Sequence, residues 1–210
     1  MSAAIRGIPS CAADAWRTWK GRVKRVVSLS AAGMLRWLWV SAVVLVLDQA
    51  TKLWAAEALR LYEARPVVDG LFNLTLAFNE GAAFSFLADA GGWQRWFFAV
   101  LAFIMATVLT VWLARLDRGE RMTAAALALL IGGAAGNLVD RVRVGYVIDF
   151  MDFYHESLAG WPGFSTQGHF PVFNVADTAI TIGVVLMLLA SLRRTDQHAR
   201  PPGPAPDARQ

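Results

Sequence analysis

The chain is poor in the residues on which metalloproteins and disulfide scaffolds rely. A single cysteine, Cys11, excludes an internal disulfide framework and any Cys-rich zinc or iron-sulfur site. Three scattered histidines, His155, His169 and His198, offer no metal-ligand spacing, so neither a metal nor another cofactor is expected. There is no G-x-S-x-G elbow and no H-E-x-x-H, which removes the usual serine and zinc hydrolase signatures. Charge is scarce as well, at 17% of residues, against about a quarter in ordinary soluble domains. Hydrophobic residues make up 56%, with nine Trp among them, and the mean hydropathy is +0.43. One small core cannot hide so much apolar surface and leave enough polar surface for water, so the natural solvent is lipid.

Four apolar runs, 37–59, 93–113, 122–139 and 173–192, are long enough as helices to span a hydrocarbon core of about 30 Å. The expected fold class is therefore a mainly α membrane protein with four transmembrane helices. Long connections, 60–92 and 140–172, alternate with a short one, 114–121. Fourteen of the 20 Lys and Arg precede the first run, lie at the short connection or follow the last run. The positive-inside rule then puts both termini in the cytoplasm and both long connections outside. The net charge of +4 is thus a topology signal, and no nucleic-acid partner is expected. The membrane core is taken as 34–193. Residues 1–33 read as a basic cytoplasmic extension without the apolar region and cleavage site of a secretory signal. Residues 194–210, rich in proline, read as a disordered cytoplasmic tail.

Within the first outer segment, Phe72, Leu74, Leu76 and Phe78 alternate with smaller or more polar residues, which is the period of a strand. A lone strand is marginal in water, so this one should lie against the membrane face of the bundle in a small sheet. Gly81, just beyond it, marks a turn or a close backbone approach.

Acids in or beside lipid carry the most information, because each costs about 2.5–3.5 kcal/mol at mid-membrane on insertion scales unless it finds a partner, water or a function. Asp48 and Lys52 stand one helical turn apart and can pair. Gly132, Gly133 and Gly136 make a small-residue face suited to close helix packing. Asp140, with Arg141 and Arg143 nearby, can be neutralised structurally, and its basic neighbours suggest that it supports Arg141. Asp149 has no basic neighbour in its apolar stretch, and Asp177 opens the last apolar run, where a helix dipole favours an anion. The topology brings Asp140, Asp149 and Asp177 to the outer face. Two carboxylates held close cannot comfortably both ionise, and such a pair can activate water while protonating a carbonyl.

Five strings, Asp48-Gln49-Ala50-Thr51-Lys52, Asn79-Glu80-Gly81-Ala82-Ala83-Phe84, Gly132 to Arg141, Val147-Ile148-Asp149-Phe150 and Phe173-Asn174-Val175-Ala176-Asp177, closely resemble in order and spacing the motifs of bacterial lipoprotein signal peptidase, or signal peptidase II. The resemblance covers about 34–193. It implies a four-helix inner-membrane aspartyl endopeptidase with a small periplasmic β-cradle and its active site near the periplasmic face. It also implies cleavage of diacylglyceryl-modified prolipoproteins just before the lipidated cysteine; the partners expected are those substrates and membrane lipid, with the enzyme a monomer. Carried over by motif, the catalytic dyad is Asp149 and Asp177, with Asp140 as runner-up. Asp48, Lys52, Asn79, Gly81, Asn137, Asp140, Arg141, Asn174 and Ala176 shape or line the site. The stretch 155–169 is longer than the family pattern. Two other classes stay open on the residues alone: a transporter or channel subunit relaying protons through Asp48, Asp140 and Asp177, and a scaffold in which the acids are only structural.

Overall fold

The structure, a computed structural model, describes residues 33–81 and 92–199. Residues 1–32 of the expected extension, residues 200–210 of the expected tail, and Ala82, Ala83 and Phe84 of the second string lie outside the described residues. Helix α1 is Leu38–Ala58, α2 Trp93–Arg115, α3 Arg121–Arg143 and α4 Val175–Ala199; strand β1 is Ala64–Val68, β2 Phe72–Asn79 and β3 Val147–Phe153. All four helices are long and apolar enough to cross a membrane.

Helix α3 outlasts its apolar run. The expected span ends at Val139, but the helix continues to Arg143 and stops where Gly145 adopts φ +98°, a conformation open to glycine. Asn137, Asp140 and Arg141 are therefore on one rigid element. Helix α4 likewise continues past 192 to Ala199, so residues 194–199 are helical rather than part of a disordered tail; no glycine or proline intervenes before Pro201 to break the chain.

α3 is the central helix and packs against the other three. Of its apolar window 56% is buried, against 11% for α2, whose Trp96, Phe97, Val100 and Phe103 face outward. Its small residues make this possible. A Cβ at Gly136 would lie 2.5 Å from Asp48 Oδ2 and 3.2 Å from Ala176 Cβ, and one at Gly133 would collide with the Ala176 carbonyl, so α1 and α4 approach α3 at backbone distance.

The strands form one antiparallel sheet in the order β1-β2-β3. β2 is the strand expected from alternation. β1 carries Pro66 and is exposed throughout, which an edge strand tolerates. Leu74 pairs with Met151 and Ala77 with Asp149, so β2 spends one extra residue there. Such a bulge twists the strand locally and re-aims its side chains, and here it sits opposite Asp149. Ala55, Leu59, Leu76 and Phe150 form the buried cluster that fastens the sheet to the end of α1.

Candidate active site

The lower tier of the site is built on Lys52. Helical spacing puts Asp48 and Lys52 on one face of α1, where they are 0% and 1% exposed. The Lys52 ammonium lies 2.9 Å from Asp48 Oδ2 and 2.7 Å from Asp140 Oδ2, and donates to Asn137 Oδ1 at 2.9 Å. Its three donors are thereby used. Asp48 Oδ1 accepts from the Ala176 amide at 2.9 Å, which brings in the first turn of α4. Asp140 Oδ2 accepts from the Ile148 amide at 3.2 Å, which brings in β3. One buried cation and two carboxylates thus tie α1, α3, α4 and β3 together at one level.

Asp140, expected to support Arg141, makes its direct contacts with Lys52, Gln49 and Ile148 and reaches Arg141 through its charge alone. Adjacent residues on a helix point about 100° apart, so Asp140 turns inward to Lys52 while Arg141 turns toward the sheet. Asp140 Oδ1 also accepts from Gln49 Nε2 at 2.8 Å, its third donor after Lys52 and the Ile148 amide. Gln49 was not singled out from the sequence, although an amide inside an apolar run next to Asp48 was the available signal.

The upper tier joins Asp149 to Asp177 through Asn174. Asn174 is fully buried. Its Nδ2 donates to Asp149 Oδ1 at 2.6 Å, while its Oδ1 accepts from the Asp177 amide at 3.0 Å. Asp177 Oδ2 accepts in return from the Asn174 amide at 3.3 Å. This reciprocal pair is a capping box, with Asn174 capping α4 and Asp177 three residues on. Asp177 Oδ1 accepts from Asn137 Nδ2 at 2.8 Å, so Asn137 links the tiers.

Asn79, at the end of β2, donates through Nδ2 to Asp149 Oδ2 at 3.1 Å, and its Oδ1 accepts from the Gly81 amide at 3.0 Å. That local turn fixes the amide so that its donor faces Asp149. Gly81 has φ +107°, and a Cβ there would lie 2.5 Å from the Phe98 ring, so both readings of this glycine hold: turn and close approach. Phe98 in turn lies 5.4 Å beneath the Arg141 guanidinium, at cation-π range. Arg141 donates to the Asn137 carbonyl at 3.3 Å, its buried Nε has no partner among the described residues, and it feels the charges of Asp177, Asp149 and Asp140. Arg95 of α2, also not foreseen, donates to the Arg141 and Val142 carbonyls at 2.7 Å each, capping the C-terminal end of α3.

Asp149 and Asp177 differ in setting. Asp149 is 2% exposed, whereas Asp177 is only partly buried. Burial first, and the negative charge of Asp177 second, push the Asp149 carboxyl from its ordinary 3.8 up to about 7; hydrogen bonds from Asn79 and Asn174 and the Lys52 charge oppose the rise without cancelling it. The result is a neighbouring pair in which one acid holds a proton near neutrality, as acid-base catalysis requires. Among the described residues, no group of three or more His, Cys, Asp or Glu is placed to hold a metal ion.

A family model described as signal peptidase (SPase) II matches residues 40–193. A protein of Pseudomonas putida named lipoprotein signal peptidase is 52% identical over 157 residues, covering 75% of this chain and 86% of that protein. One of the same name from Pseudomonas paraeruginosa is 48% identical over 161 residues, covering 77% and 90%. A solved structure titled as a bacterial membrane enzyme at 2.3 Å superposes with a TM-score of 0.66 and 29% identity, over 80% of this chain and 94% of that one. A second, at 1.9 Å, gives 0.62 and 30%, over 75% and 93%.

Proposed function

The chain belongs to the signal peptidase II family of aspartic peptidases, and on that premise we propose that Asp149 and Asp177 are the dyad with which it removes signal peptides from prolipoproteins. The observation that carries this reading is the Asn174 bridge, which holds a buried, proton-retaining Asp149 beside a more open Asp177.

In this reading, water bound between the two carboxyls loses a proton to Asp177 as its oxygen attacks the scissile carbonyl carbon. Asp149 gives its proton to the carbonyl oxygen, so charge does not build up there. The tetrahedral diol then collapses. Its hydroxyl proton returns to Asp149, the proton held by Asp177 passes to the leaving nitrogen, and the C–N bond breaks, which restores both acids. Asn79 and Asn174 keep Asp149 oriented throughout, and the capping box holds Asp177.

The substrate is a diacylglyceryl-modified prolipoprotein cut just before its lipidated cysteine. Two acyl chains and an apolar signal segment hold such a substrate in the bilayer plane, where the outward apolar faces of the helices meet lipid. The site lies at the sheet-bearing end of the bundle. The placement of the basic residues supports reading that end as the periplasmic face of an inner membrane, with both termini cytoplasmic; the enzyme is taken to act as a monomer.

The test is incubation of purified protein, in detergent with a chelator, with a lipidated prolipoprotein and its unlipidated counterpart, followed by mass. Cleavage of the lipidated form alone is expected, with Asp149→Asn and Asp177→Asn each inactive but folded. Wild-type turnover by either variant would sink the dyad assignment.

A further inference from the structure

A second buried carboxylate on β3 lies outside the site just described. Asp152 is 2% exposed. Its Oδ2 accepts from Thr75 Oγ1 at 2.9 Å and from Asn73 Nδ2 at 3.4 Å, and its Oδ1 lies 2.8 Å from His169 Nδ1. None of these partners belongs to the network around Lys52. Three donors on one buried acid make a strong, directional tie, and the tie joins two pieces of chain separated by the whole excursion 155–168.

That excursion has no regular ladder of its own. It is a run of turns with positive φ at Gly160, Gly163 and Gly168, closed at its neck by the His155 amide donating to the Gly168 carbonyl at 3.0 Å. Beyond it, residues 169–173 run antiparallel to β3 in two isolated bridges, Tyr154 with His169 and Met151 with Phe173, held by the Phe170 amide donating to the Phe153 carbonyl at 2.8 Å and by Phe173 and Met151 exchanging backbone bonds at 3.0 and 2.9 Å. Pro171 lies between those bridges and has no N–H with which to complete a ladder. The next residue is Asn174, which reaches Asp149 at 2.6 Å and caps the helix that carries Asp177. A slip of one residue between 169–173 and β3 would move Asn174 by about 3.3 Å, beyond any hydrogen bond to Asp149.

We infer that Asp152 and His169 are a positioning pair, which reinforces the register of 169–173 on β3 beside the few backbone bonds there and thereby holds the separation of Asp149 from Asp177. The inference rests on the dyad reading. It assigns a function to two residues that touch neither acid: their side chains reinforce a backbone pairing that Pro171 interrupts. The same pair insulates the dyad from the excursion, so that a long insertion at 155–168 does not disturb the geometry.

His169→Phe keeps a ring against Tyr154 (4.6 Å between centroids in the wild type) and removes the donor to Asp152. His169→Asn puts an amide donor in the place of Nδ1. In the lipidated-substrate assay, His169→Phe is expected to lower kcat about tenfold or more with KM within about twofold, since misplacement by about 1 Å can cost two orders of magnitude. His169→Asn should recover most of the loss, and the alkaline limb of the kcat profile should move in His169→Phe because the Asp149–Asp177 interaction has changed. Adding Asp152→Ala to His169→Phe should cost little more than the worse single change. Wild-type kcat per folded molecule in His169→Phe, a loss that merely follows the folded fraction, or additive losses would overturn the pairing. An inactive wild type would instead remove the peptidase reading on which the inference rests.

Discussion

Asp149 makes stability and activity depend on pH in a direction that can be worked out. Its carboxyl sits at about 7 in the folded protein against an ordinary 3.8, so the native state binds this proton more tightly than the unfolded chain does. The contribution is fully present below about 3.8 and is lost as pH rises to about 7 and beyond. The interval is about 3 pH units, which at 1.36 kcal/mol per unit is roughly 4 kcal/mol. Asp149→Asn cannot ionise and loses this dependence. It also carries a constant penalty, because Asn174 and Asn79 donate to separate oxygens of Asp149 and an asparagine would meet one of them with its own NH2, a mismatch of about 1–3 kcal/mol. The two effects separate by pH. Unfolding midpoints in detergent should show Asp149→Asn less stable than wild type near pH 4 and level with it, or above it, near pH 8. In the cleavage assay wild-type kcat should fall on the alkaline side of about 7, where the proton donor is lost. Parallel stability curves for the two proteins between pH 4 and pH 8 would refute the buried-proton account.

Lys52→Met leaves Asp48 and Asp140 buried without their cation and should cost about 3–5 kcal/mol in unfolding measurements; adding Asp48→Asn should recover part of that, and no loss would show that the hub is not held by charge. Gly136→Ala drives a methyl against Asp48 Oδ2 and Ala176. It should lower stability by about 1–3 kcal/mol and lower cleavage too, because Asp48 holds the turn that carries Asp177; unchanged kcat would refute that link. Arg95→Ala strips two 2.7 Å donors from the end of α3 and should cost about 1–3 kcal/mol with reduced turnover. A thermal midpoint and kcat equal to wild type would show the cap to be idle.

The four spans were legible because the length of an apolar run is a local property. The end of α3 was not: Asp140 and Arg141 lower the hydropathy of the run without lowering its helicity, and only Gly145 stops the backbone. β2 was legible from its alternation, whereas β3 hides it. Asp149 and Phe150 are consecutive and point to opposite faces, yet both are buried, one in the polar network and the other against α1, so burial does not follow period two. The Asp48–Lys52 pair could be read from spacing alone. The Lys52–Asp140 pair spans two helices and depends on how closely glycines let them approach, which spacing within one helix cannot reveal. The same holds for Asp152 and His169, since a histidine 17 positions away becomes a partner only once the neck of the excursion closes.

The different behaviour of the two proposed catalytic acids follows from the secondary structure that carries each. Asp177 lies in the first turn of a helix, where the aligned peptide dipoles favour negative charge and where a capping box uses its carboxylate as an acceptor. Asp149 lies in a strand, which has little net dipole, under enough protein to be cut off from water. A helix start set against a strand middle therefore gives one proposed acid a capping role at a helix N-terminus and buries the other where its protonated form is favoured. The amide of Asn174 bridges them because it is the residue at which the chain passes from the strand-like segment into the helix. Its side chain can serve both acids only while that passage stays in place. On this reasoning the geometry of the dyad is a property of the junction between 169–173 and α4 more than of either aspartate. Substitutions that shift the junction should impair turnover even where both carboxylates and their immediate partners are intact.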